Sequence, residues 1–354
     1  MILSCKNSIA IVAVFVLLLM QSAVANNTND FGNCCFFYNT DRGKIISLKN
    51  HIAPSYPNFI TILNRFKTDD KTKADNDIPT ETDSRRLLIA GSTILSGYSV
   101  AFIFLDRAWY RNYPRSSFHF HNDNLDWLQM DKAGHAMSSY YLSSLSYKTF
   151  RWTGMDNRKA TLWGSFSGWA FISTIEVFDG FSAQWGASLG DLAANTLGAV
   201  LFTSQQLTWE QQKVKLKFSF HQSGLEKYRP DLLGSNLPEN VLKDYNGQTY
   251  WLSFNLNSFA NTTTIPDWLN IAFGYGASGM LGSRENPLYH NGQPLPYYTR
   301  SRHYYIAPDI DWGRIKTNSV FIQSTLSVLD FLKMPAPAIE YSKEHGFAFH
   351  FIFF

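Results

Sequence analysis

Asp131-Lys132-Ala133-Gly134-His135, Glu176-Val177-Phe178-Asp179-Gly180 and Asp191-Leu192-Ala193-Ala194-Asn195 are the polar words of a stretch, ending at Gly198, that is otherwise apolar and rich in Gly, Ala and Ser. Each word spaces its polar side chains three or four residues apart, so that on a helix both members face the same way. Burying that many ionisable groups costs several kcal/mol each, on the order of what a partner or cation must offset. The three words therefore predict convergence on one site.

Helical segments follow from the same stretch. One helix is expected from Asp131 to about Phe150, with Asp131 a candidate N-cap. A second is expected over Arg158–Phe178, where Gly164 and Gly168 permit close helix contact. Glu176 arrives there after a long uncharged run and calls for a partner. Asp179-Gly180 is expected to end that helix as a turn. A third is expected over Gly186–Leu207, where Ser188-Leu189-Gly190-Asp191 fits a capping box. Upstream, Leu87–Leu105 carries no charge and is flanked by Arg85-Arg86 and Asp106-Arg107. About 20 apolar residues cross a bilayer, so this segment is either a membrane span or a buried helix. Between them, His119, His121, Asp123 and Asp126 read as a polar loop, with a metal-ligand run as the alternative.

After Gln212 the pattern changes to period two. Lys213–His221, Thr249–Leu256, Leu269–Tyr275, Tyr304–Asp311 and Phe347–Phe354 alternate and are bounded by Pro, Gly and Asn. The alternating Phe residues that end the chain are also a pattern of outer-membrane barrels, although five strands are too few to close one. The expected fold is mainly α: a four-helix, membrane-embedded or membrane-associated bundle over residues 85–210, with an appended β-strand-rich region over 211–354. Residues 26–84 form a polar segment and linker.

Residues 1–25 have the form of a secretory leader: Lys6, an apolar run from Ile9 to Met20, and Ala23-Val24-Ala25 as a cleavage site. The expected location is exported, facing the periplasm from the inner or outer membrane. Beyond the leader only Cys34 and Cys35 remain, which gives neither a disulfide framework nor zinc spacing. The 354 residues are 17% charged and 16% aromatic, with a net charge of +3. Mean hydropathy is -0.18. So weak a positive charge, with no Lys/Arg cluster, excludes a nucleic-acid binder. A membrane or envelope lipid is the expected partner, with the C-terminal strands a candidate protein-binding surface.

Asp131-Lys132-x-x-His135 at a helix start, Glu176 late in the next helix and Asp191-x-x-x-Asn195-x-x-Gly198 on a third resemble the VanZ-like membrane family. They also resemble the related YfiM-like periplasmic lipoproteins, in a Bacteroidetes-type envelope version. The resemblance covers roughly residues 85–207. It departs from the VanZ-like form in lacking an Arg between Val177 and Gly190, and Asp179-Gly180 is closer to the YfiM-like form. What it implies is a bacterial envelope protein with a helical core, and no reaction.

Two functions fit these residues. In one, the cluster is a buried structural or ligand-binding network. In the other, His135, Glu176 and Asp191 are catalytic in a metal-dependent hydrolase or transferase acting on an envelope lipid, glycolipid or cell-wall precursor. A divalent metal is the candidate cofactor, with Asp131, His135, Glu176, Asp179, Asp191 and Asn195 as candidate ligands; the imidazole tilts the choice towards zinc or manganese. No Ser or Cys stands in a nucleophile motif.

Overall fold

The computed structural model describes residue 79 and residues 81–106, 114–183, 185–260, 262 and 264–354. The leader, Cys34-Cys35, the charged run before Pro79 and the short amphipathic helix expected near Asn58–Phe66 lie outside them.

Among the described residues four long helices come first: α1 (Ser84–Leu105), α2 (Met130–Trp152), α3 (Asn157–Gly180) and α4 (Leu189–Trp209). Each expected helix is present, and α3 runs on through Asp179 and Gly180 rather than turning there. Glycine sets how closely they pack. A Cβ on Gly168 would lie 2.4 Å from the Ser143 nitrogen of α2, and one on Gly198 would lie 1.9 Å from the Ala136 carbonyl oxygen. Only a residue without a side chain lets α3 and α4 approach α2 so closely. Helix α1 lies outside this trio, stacking Tyr98 on Phe171 at 4.1 Å between ring centroids. Among the described residues it is the one helix long and apolar enough to cross a membrane, and its apolar window is 6% buried.

The second half corrects the expectation of a mainly α protein: the chain is mixed α/β. Six strands form one antiparallel sheet in the order β1 (Val214–Phe220), β2 (Gln248–Asn255), β3 (Leu269–Ser278), β6 (Ser301–Ile310), β7 (Ala336–Ser342) and β8 (Gly346–Phe353). A two-residue hairpin, β4 (Tyr289–His290) with β5 (Gln293–Pro294), interrupts it. Short helices α5 (Pro230–Leu233), α6 (Leu237–Lys243), α7 (Leu256–Ala260) and α8 (Val320–Leu329) fill the connections. Strand β7 carries Pro337, which weighs against a strand in sequence but falls here where the pairing with β8 is irregular.

The sheet is strongly curled. β2 and β8 are four strand positions apart, about 19 Å in a flat sheet, yet the rings of Trp251 on β2 and Phe353 on β8 are 6.0 Å apart. Phe353 also stacks on Tyr305 of β6 at 4.3 Å. Residues 331–333 bond to Phe218 along the outer edge of β1.

Helices and sheet meet in one apolar core containing Trp127, Leu142, Phe171, Phe218 and Tyr250. Its hinge is a short turn, Asp126–Gln129, where Trp127, Leu128 and Gln129 all have positive φ. Consecutive left-handed residues without glycine are costly, and the surroundings hold them in place. Trp127 N–H donates to Ser283, the Tyr275 hydroxyl donates to the Leu128 carbonyl, and Arg302 donates to the Gln129 side chain at 2.8 Å.

Candidate functional site

The three polar words meet between α2, α3 and α4. Asp131 and His135 sit one turn apart at the start of α2, Glu176 and Asp179 on the last turn of α3, and Asp191 and Asn195 on the first turns of α4. All six are buried. The cause is local: the glycine contacts bring the helices together, and the α3–α4 loop turns the two ends towards α2.

The start of α4 departs from the expected capping box in a way that builds the site. Ser188 caps the helix by accepting the Asp191 N–H at 3.0 Å. In a full capping box the Asp191 carboxylate would return to the Ser188 N–H. Glu176 takes that N–H instead, at 3.0 Å. Asp191 therefore points into the core.

There the carboxylates divide around two positive or imidazole groups. The Lys132 ammonium lies 2.6 Å from Asp123, 2.9 Å from Asp131 and 2.8 Å from Asp191. Burial opposes its charge, but the three acids together hold its pKa above the ordinary lysine range. Burial, reinforced by Asp191, pushes the Asp131 carboxyl up to about 7. On the other side of Asp191 stands His135. Its Nδ1 is 3.0 Å from Asn195 Oδ1. Its Nε2 has no hydrogen-bond partner among the described residues and is 3.7 Å from both Glu176 Oε1 and Asp191 Oδ1.

His135, Glu176 and Asp191 thus offer one nitrogen and two oxygens, all within 4.8 Å of one another. Asp123, Asp131 and Asp191 form a second group of the same compactness, with Lys132 beside it. Asp179 belongs to neither group, although it is fully buried one turn beyond Glu176. Asn195 faces the back of the His135 ring. The N-cap position of α2 is Gln129 and not Asp131; Asp131 is a partner of Lys132.

Sequence reading missed Asp123, Lys132 and Ser188 as members. Asp123 arrives because the segment 116–121 bonds to residues 180–187: His119 N–H donates to the Gly180 carbonyl, Ala187 N–H to the His119 carbonyl and His121 N–H to the Ala187 carbonyl. That delivers Asp123 to Lys132 and to the Ser188 hydroxyl, which donates to it at 2.5 Å. His119 and His121 do not join; His119 Nε2 bonds to the Trp185 carbonyl at 2.6 Å. The signal for Asp123 was its place in the His-x-His-x-Asp run.

Residues 119–205 match the family described as predicted periplasmic lipoprotein (DUF2279). No curated protein and no solved structure matches the chain. The matched segment contains every residue of the site, so it is in this core that the chain is similar to an uncharacterised family of periplasmic lipoproteins, in agreement with an exported protein facing the periplasm in the cell envelope.

Proposed function

We propose that the helical core is a closed binding centre for one divalent cation, held by His135 Nε2, Glu176 and Asp191, and that the cation locks α2, α3 and α4 together in an envelope protein without catalytic chemistry of its own. One observation carries the reading. With Nδ1 committed to Asn195 Oδ1, an accepting oxygen, the lone pair of Nε2 faces two carboxylate oxygens at 3.7 Å. Lone pairs so placed repel; the Lys132 ammonium, 2.8 Å from Asp191 Oδ1, relieves part of this, and a cation between Nε2 and the two oxygens relieves the rest. A proton on Nε2 would be too far from either oxygen for a hydrogen bond. A tetrahedral zinc with bonds of about 2.0–2.2 Å sets its ligands about 3.4 Å apart, so a few tenths of an ångström of contraction seats the ion. Asn195 acts as the positioning residue behind the imidazole.

Burial of His135, Glu176 and Asp191 to 5% exposure or less supports a locking ion over a reaction centre for a lipid. Nitrogen with two carboxylates suits zinc or manganese. The Asp179-Gly180 pair after Glu176 supports a place among YfiM-like periplasmic lipoproteins.

The test is metal analysis of the purified protein, before and after dialysis against zinc or manganese, with His135→Ala and Glu176→Gln beside it. About one equivalent per chain is expected in the wild type and none in either variant, each with a wild-type circular dichroism spectrum. A wild type that takes up neither metal refutes the reading. So does metal retained at full stoichiometry by both variants.

A further inference from the structure

The curled sheet is built inside out, and we infer that its outer face lies in the hydrocarbon of a lipid bilayer. The concave interior carries the sheet's charged groups around a small apolar cluster of Trp251, Tyr305, Ala307 and Phe353. Lys217 pairs with Asp309 at 3.0 Å, and Glu340 joins His303 and His350 at 2.6 Å each. Trp251 fills the middle and donates its indole N–H to Ser219. The convex face has the opposite character. Along β2, β3, β6, β7 and β8 the outward positions carry a single charged side chain, Arg302, at one end of β6. A water-soluble sheet with one covered face puts its apolar side chains inward. Apolar groups outside and charge inside is the arrangement of a sheet in lipid.

Register orders that face by depth. Tyr275, Tyr304, Tyr341 and Phe347 are direct neighbours across four strands and form one row. Arg302 lies on one side of this row. On the other side, the next outward row is Phe273, Ile306, Ile339 and Phe349. All four of these are exposed. Charge, then tyrosine, then aliphatic and phenyl groups is the sequence met on passing from water through the interface into hydrocarbon. Strand length agrees. Beyond the tyrosine row β3 and β6 run on to Leu269 and Ile310, about 20 Å of strand, which after a tilt of roughly 40° reaches about 16 Å, the depth of one hydrocarbon leaflet.

The surface continues an interface already formed. On β1, at the near end of β2 and over the Tyr275–Ala277 end of β3 the same convex face is covered: Phe218, Tyr250 and Ala277 are buried in the core shared with the helices, Tyr275 packs against it and bonds to Leu128, and Arg302 bonds to Gln129. Beyond Tyr275 the cover stops, and the apolar face runs on over the rest of β3 and over β6, β7 and β8. Helix α1 presents a further exposed apolar surface.

Two measurements on the full chain test this. Reconstituted into phosphatidylcholine vesicles, the wild type should float with the lipid after an alkaline carbonate wash. A variant with Phe273→Asp, Ile306→Asp and Phe349→Asp should lose most of that fraction. Because the triple variant could fail to fold, depth is read separately in the intact sheet with an environment-sensitive fluorophore on a single introduced cysteine, Cys34 and Cys35 being replaced by Ser. Nitroxide-labelled acyl chains should quench the probe on Phe349→Cys at least twofold more than on His345→Cys, which sits in the turn beyond the tyrosine row. Equal quenching at the two positions overturns the inference. So does a wild type that stays in solution without lipid, whether as a monomer or as a dimer joined through this face.

Discussion

At His135 the two ring nitrogens have different partners, and the difference is what gives the site a direction. Nδ1 is held by Asn195, and Nε2 is left for whatever stands between Glu176 and Asp191. Partners behind a metal-bound imidazole are worth about 10–100-fold in affinity. Asn195→Ala should therefore weaken zinc binding by about that factor while leaving the stoichiometry at one, as read by competition with a chromophoric chelator; unchanged affinity would remove Asn195 from the centre. Most of this residue-level picture was legible beforehand: six polar side chains at helical spacing in apolar sequence have to find partners. What spacing could not give was the division of labour. Asp131 and Asp191 read alike as acids at helix starts, yet Asp131 lies beside Lys132 while Asp191 lies between Lys132 and His135. Asp123 was set aside because it stands in a loop whose path depends on hydrogen bonds to residues more than sixty positions away.

Helices α2, α3 and α4 depend on contact without side chains. A methyl group on Gly198 would overlap the Ala136 carbonyl oxygen, so Gly198→Ala must push α4 off α2. Overpacking of this kind costs about 1–3 kcal/mol, and chemical denaturation should show a loss in that range. Asp191 and Asn195 ride on α4, so the same variant should also bind metal more weakly; a Gly198→Ala protein of wild-type stability would mean that the helices yield easily. Periodicity of 3.6 and of 2 revealed these elements well, since each amphipathic stripe records a buried face. β7 escaped because Pro337 removes a donor that a central strand needs, and it is tolerated only at an irregularity in the pairing with β8.

For the molecule as a whole, a cation that binds the folded chain and not the unfolded one adds stability that grows with its concentration, about 4 kcal/mol at a thousand times its Kd. Treatment with a chelator should lower the melting temperature, and excess zinc or manganese should restore it. His135→Ala should melt low at any metal concentration; equal melting curves with and without chelator would show that the core stands without an ion. The sequence by itself determined the helical core, the alternating strands and the polar groups that must meet, because spacing and composition are local properties that one chain states directly. Only the tertiary structure decided that six strands curl around charged groups, that the apolar rows face outward, and that Glu176 takes the backbone N–H which would otherwise have occupied Asp191. Each of these depends on which distant segment lies alongside, and alternation along a strand is the same whichever of its faces turns inward.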